Sequence, residues 1–157
     1  LKAQDKNHLK AQDKNHLAKR TFPPLSSLSW RTAMHHAKPA ALAAAIHYYI
    51  FYLEYPAYGS ARFCHTFGVS PTELATLRVP FRNLAIYNLM QAVGVSGGIV
   101  LSCAGVSPVL TLGIMATPLA TMSVAGSYLF CTAPDKRRAA CIQAIPPLLA
   151  SFGLFLS

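Results

Sequence analysis

Residues 39–157 are nearly free of charge and fall into four apolar segments of membrane-spanning length, and this pattern constrains the fold more than any motif. The segments cover about residues 39–55, 83–104, 108–131 and 139–157. At 1.5 Å rise per residue the first is roughly 25 Å long as a helix, which suffices only with aromatic or snorkelling flanks. Tyr52, Tyr55 and Tyr58 supply that flank. The expected fold is therefore all-α, a four-helix transmembrane bundle with a short surface helix in its first loop and an irregular basic tail ahead of it. A composition of 53% hydrophobic against 12% charged residues is too lopsided for an ordinary water-soluble domain.

The net charge of +9 belongs mainly to residues 1–38, which carry eight Lys or Arg against Asp5 and Asp13. An octapeptide, Leu-Lys-Ala-Gln-Asp-Lys-Asn-His, occupies 1–8 and repeats unchanged at 9–16. Its period is too short for a solenoid unit and carries no apolar stripe, so it reads as a low-complexity leader without a packed fold. The first residue is not Met, in keeping with a processed, incomplete or rebuilt N-terminus. Residues 17–38 hold Lys19, Arg20, Arg31 and Lys38 with no acid, a composition like an organelle transit segment. The competing reading is a permanent arm along the membrane surface, with Trp30 at headgroup depth. Anionic headgroups and acidic partner subunits suit such a tail; nucleic acid does not, because no binding module surrounds Trp30.

Local signals punctuate the spans. Pro39 suits the first position of span one, and Pro56 ends it. Gly94-x-x-x-Gly98 in span two allows close approach of another helix. Pro118 should bend span three by removing a hydrogen bond, with Thr117 and Thr121 re-satisfying the freed carbonyls. Span four carries Pro146-Pro147. In the long loop at 56–82, Ser70-Pro71-Thr72-Glu73 is a capping box that predicts a short surface helix finishing before Pro80. Arg62, Arg78, Arg82, Lys136, Arg137 and Arg138 place that loop and the last one on the cytosolic or matrix-like side, while the basic tail argues for the opposite orientation.

Ionisable groups inside a bilayer are costly, so His47 and Glu54 in span one need a partner or a task. Seven residues apart, they share a helix face about 10 Å from one another along the axis, and each must bond to another helix. Asn83, Tyr87 and Gln91 step by four along span two as a polar stripe, with Asn88 displaced by roughly a quarter turn, and Gln143 opens span four. Facing one another, these groups would enclose a polar pocket near the long-loop side. The same residues serve equally as a structural clamp and as interhelical hydrogen bonds worth roughly 1 kcal/mol each. No metal site is expected from one His without a second ligand at metal spacing. Cys64, Cys103, Cys131 and Cys141 show no Cys-x-x-Cys pair; Cys64, Cys131 and Cys141 should lie on one side, as buried thiols or a disulfide pair.

His47-x-x-x-x-x-Leu53-Glu54, Phe67-Gly68, Asn83-x-x-x-Tyr87-Asn88-x-x-x-Ala92, Ala125-Gly126-x-Tyr128 and Gln143-x-x-Pro146, in this order and spacing, resemble the small four-helix integral-membrane family catalogued as domain of unknown function 1304. The resemblance covers about residues 40–157. It departs at Leu84-Ala85, where the family usually has Gln-Gly, and at the tail. It implies the architecture and a recurring His/Glu/Asn/Tyr set, with Gly126 and Pro146 joining Gly94, Gly98 and Pro118 as helix-packing positions; it lends no activity.

Two functions are expected to compete. One is an accessory subunit of a larger membrane complex in an organelle, the mitochondrial inner membrane ahead of the thylakoid, held by helix faces and the basic tail. The other is binding, transport or proton-linked chemistry of a small polar molecule at the His47/Glu54/Tyr87/Asn88 pocket. Axial ligation of a tetrapyrrole by His47 is a weaker third. No cofactor is expected beyond bound lipid.

Overall fold

The computed structural model describes residues 30–156, with side chains from 37 to 154. The octapeptide repeat, residues 17–29 of the transit-like segment and the setting of the Trp30 side chain lie outside the described residues and side chains. Among the described residues there are five α-helices and no strand: α1 Trp30–Glu54, α2 Ala61–Phe67, α3 Leu74–Cys103, α4 Pro108–Thr132 and α5 Arg137–Leu156. Single 3-10 turns, Pro71–Glu73 and Pro134–Lys136, lead directly into α3 and α5.

Two prolines expected at helix boundaries or helix stops lie elsewhere. Pro39 sits inside α1, which begins at Trp30 instead of at residue 39. The preceding residues hold Ala33, Met34, Ala37 and Lys38, good helix formers with no Gly among them, so the helix continues backward past the one amide that Pro39 lacks. Pro80 likewise lies inside α3. The capping box therefore opens the long helix itself and not a separate surface helix. Pro80 and Thr76 are both exposed, so the carbonyl deprived of its donor is not sealed in a core. The surface helix of this loop is α2. Ser60 Oγ accepts from the Phe63 N–H at 3.2 Å to start it, and Gly68 at φ 71° ends it by donating to the Cys64 carbonyl at 2.8 Å.

One core joins four helices: Ala40, Ala43 and Ala44 of α1, Ala92 and Val95 of α3, Met115, Leu119 and Met122 of α4, and Ala150 of α5. Small residues let the backbones approach. A Cβ on Gly94 would lie 3.3 Å from the Pro118 ring, and one on Gly98 would run into the Met115 side chain, so both glycines face α4. At Gly126 an added Cβ would lie 2.9 Å from the Ala144 backbone nitrogen, which makes α4 and α5 neighbours at backbone contact. Thr121 Oγ1 donates to the Thr117 carbonyl at 2.9 Å, whereas the carbonyl freed by Pro118 is that of Ile114, so the threonines do not compensate the proline as expected.

The long loop and the last loop share one end. Lys136 Nζ donates to the Thr66 carbonyl in the final turn of α2 at 3.5 Å, a cation at a helix C-terminus. Arg137 Nε does the same for the Phe130 carbonyl of α4 at 3.4 Å. The four cysteines are free thiols and none is buried as expected: Cys64 and Cys141 are half-buried, Cys103 and Cys131 exposed.

Pro71–Cys103 and Pro108–Thr132 are long and apolar enough to cross a membrane, by length and composition. Only 28% and 33% of their apolar stretches are covered by the rest of the chain. Val79, Val100, Val109, Val124 and Phe152 are among the large apolar side chains left exposed.

Two outcomes are expected. Gly126→Ala should destabilise the protein by about 1–3 kcal/mol, because the methyl group meets backbone and not a flexible side chain, whereas Gly97→Ala, whose Cβ would meet nothing within 4 Å, should be close to neutral; thermal unfolding of the purified protein measures both. Glu73 Oε2 accepts from the Ser70 N–H at 2.8 Å and from Ser70 Oγ at 2.7 Å, which lowers its pKa from 4.5. A lowered folded-state pKa stabilises the start of α3 above pH 4.5 and loses that contribution as pH falls through the folded value. Protection factors for amide hydrogen exchange at residues 74–77, corrected for the intrinsic pH dependence of exchange, should fall on acidification in the parent chain and depend less on pH in Glu73→Ala.

Candidate functional site

Glu54, the last residue of α1, is 1% exposed, and Asn88 Nδ2 of α3 donates to its Oε2 at 2.8 Å. Asn88 reaches it because Ala85, Ala92 and Val95 are the buried positions of α3, and residue 88 continues that 85-88-92-95 spacing on the inner face. A second contact joins the same two helices, with Tyr48 Oη donating to Ser96 Oγ at 3.4 Å. The partners run 48 to 96 and 54 to 88, so α1 and α3 are antiparallel neighbours with a fixed register.

His47 is also 1% exposed, one turn above Ala43, whose carbonyl lies 2.9 Å from Nδ1. A carbonyl can only accept, which places a proton on Nδ1 and leaves Nε2 for another group. The other buried polar side chains are satisfied within their own helices or helix ends. Thr111 Oγ1 donates to the Pro108 carbonyl at 3.0 Å, and Ser123 Oγ donates to the Leu119 carbonyl at 2.7 Å.

The pocket expected from the sequence is assembled only in part. Glu54 meets Asn88 of another helix as expected, whereas His47, also expected to bond across, is bonded to the Ala43 carbonyl of its own helix. Asn83 and Tyr87 turn outward, Tyr87 being 62% exposed, while Gln91 and Gln143 are half-buried. A step of four residues overshoots a full turn by about 40°, so the Asn83/Tyr87/Gln91 stripe drifts round α3 and cannot all face α1. The Ala85/Ala92/Val95 spacing was the sequence signal for Asn88 as the inward residue.

Above the site, an aromatic cluster absent from the sequence reading docks α2 on the first turns of α3. Phe63, Phe67 and Phe81 have ring centroids 4.9–5.0 Å apart, and Tyr58 lies 4.5 Å from Phe63. Tyr58 Oη also donates to the Leu74 carbonyl at 2.7 Å. The Ser60 and Gly68 caps marked a short helix carrying Phe63 and Phe67, but nothing local marked Phe81 as their partner. Arg82 lies over the Tyr55 ring at 5.2 Å and Arg62 over the Tyr49 ring at 6.0 Å. No group of three His, Cys, Asp or Glu side chains stands at metal-holding distance among the described residues.

Residues 41–155 match a family model described as Protein of unknown function (DUF1304). The chain belongs to this family. No curated protein and no solved structure matches it. The family match spans most of α1 and all of α2, α3 and α4, and it includes His47, Glu54, Asn88 and the Gly126–Ala144 contact.

Removing the donor of the Glu54 pair should leave a buried carboxylate without a partner. Asn88→Leu is expected to cost about 1–3 kcal/mol, more than Glu54→Gln, whose amide oxygen can still accept from Asn88. A double-mutant cycle on thermal stability checks both, and additive losses would mean that the two residues do not interact.

Proposed function

We propose that this family member is a four-span integral membrane protein, with α1, α3, α4 and α5 in the bilayer, acting as a non-catalytic accessory subunit of a larger assembly in an organelle membrane. The mitochondrial inner membrane is the preferred site, on the strength of the basic, acid-free segment at 17–38.

The distribution of polarity carries this reading. Large apolar side chains cover the outer surface of the long helices, while His47 and Glu54 are buried among them. Water would penalise that arrangement and hydrocarbon favours it. Asn83 and Tyr87, exposed on α3 beside Leu84, Ile86 and Met90, add a reason for a neighbour, since a carboxamide and a phenol on an apolar helix gain from a partner's polar groups.

The chain should stay in membranes through alkaline carbonate washing and migrate in native gels, after mild detergent extraction, well above the size of a small homo-oligomer. Migration only as a monomer or small homo-oligomer would overturn the subunit reading. Release by carbonate would overturn the membrane reading.

The burial of both His47 and Glu54 on one helix favours a second reading, a site for a small polar molecule or for proton-linked chemistry. Under it, Glu54→Gln and His47→Ala abolish a ligand-dependent signal without disturbing assembly; an unchanged signal in both would dismiss it.

A further inference from the structure

Every acid among the described residues is already engaged, and none meets an arginine. Glu54 accepts from Asn88, Glu73 accepts from Ser70, and Asp135 lies 3.7 Å from Lys136. Lys136 and Arg137 are spent on helix-end carbonyls. The guanidinium groups of Arg78 and Arg82 have no anionic partner within the described residues, although they stand one turn apart on the same face of α3, where its apolar stretch begins. Arg82 is the more telling of the two. Its Nε is a buried donor with no acceptor, held over the Tyr55 ring. Leaving a charged donor unsatisfied is expensive, and the missing acceptor has to come from outside the described residues.

We propose that Arg78 and Arg82, with Tyr55 at the edge, form a binding site for the phosphate of an anionic phospholipid at the loop end of the bundle. The site rests on the membrane reading above, which sets these residues at the boundary between hydrocarbon and water. Turned off the Tyr55 ring, the Arg82 guanidinium offers Nε and one Nη as a fork that matches two phosphate oxygens, and Arg78 supplies a second charge from one turn away. Tyr49 and Tyr52 on the last turns of α1, and Tyr55 just beyond it, are the aromatic side chains that settle at headgroup depth, and Arg62 over Tyr49 extends the positive surface along them. The acyl chains would then run down the exposed apolar surface of the long helices. Basic pockets between membrane helices recognise anionic headgroups in this way.

The test uses the full chain exchanged from vesicles of equimolar phosphatidylcholine and phosphatidylglycerol, with the retained lipid read by native mass spectrometry. The parent chain should keep phosphatidylglycerol in preference to phosphatidylcholine. Arg78→Gln and Arg82→Gln should each lower that preference about fivefold, the weight of one charge at a membrane surface, and Lys38→Gln should leave it unchanged. Arg78 is exposed and makes no contact that the fold needs, so its variant keeps the test decisive if Arg82→Gln folds poorly by circular dichroism. Equal retention of both lipids by the parent, or unchanged preference in Arg78→Gln, overturns the site. Inorganic phosphate that displaces the lipid and binds by itself as tightly would make it a free-phosphate site and overturn the lipid assignment. Loss of a partner protein from the assembly in these variants, with lipid preference intact, would assign the arginines to an acidic protein surface instead. A chain that stays embedded through carbonate and fails the lipid test loses this site alone; a chain released by carbonate loses the membrane reading as well.

Discussion

A carboxylate buried at the end of α1 governs how that helix can sit. Glu54 has one hydrogen-bond partner, Asn88, and a slide of α1 along α3 by even one residue would separate them. Apolar side chains on α1 are mostly alanines at the contact, Ala40, Ala43 and Ala44, which pack closely but resemble one another along the helix. Such a surface tolerates several registers. The Glu54–Asn88 bond, with Tyr48–Ser96 two turns away, selects one of them.

The rest of the bundle relies on shape. Gly94 receives the Pro118 ring, Gly98 receives Met115, and Gly126 abuts the Ala144 backbone. These contacts gain dispersion energy from close backbones without demanding hydrophobic transfer, which is the way helices associate when their surroundings are themselves apolar. The pairs α3–α4 and α4–α5 are thus joined by missing side chains, and α1 is joined by polar ones. Two different means of holding helices meet in a single core.

Much of this was legible in the chain. The ends of α4 and the capping box at Ser70 were readable because Pro108, Pro134 and the Ser-Pro-Thr-Glu run are strong local signals. Pro39 and Pro80 misled because a proline removes one hydrogen bond, which good helix formers on either side can absorb. Of the polar residues, Glu54 and His47 were identified from cost alone, since their burial in an apolar segment needs an explanation. Asn83 and Tyr87 were not sorted from Asn88 because a four-residue step looks like a single stripe until the inward spacing of Ala85, Ala92 and Val95 fixes which side faces α1. The aromatic cluster around Phe63 depends on Phe81 of α3, a helix away in sequence, and no local pattern announces such a meeting.

Lys136 reaches the Thr66 carbonyl across seventy positions of sequence. A polypeptide emerges from its N-terminal end first, so α2 is synthesised long before the residue that finishes its last turn. Until the α4–α5 hairpin closes, that small helix has its aromatic anchorage but lacks its terminal cation, and its completion belongs to the final stage of biogenesis.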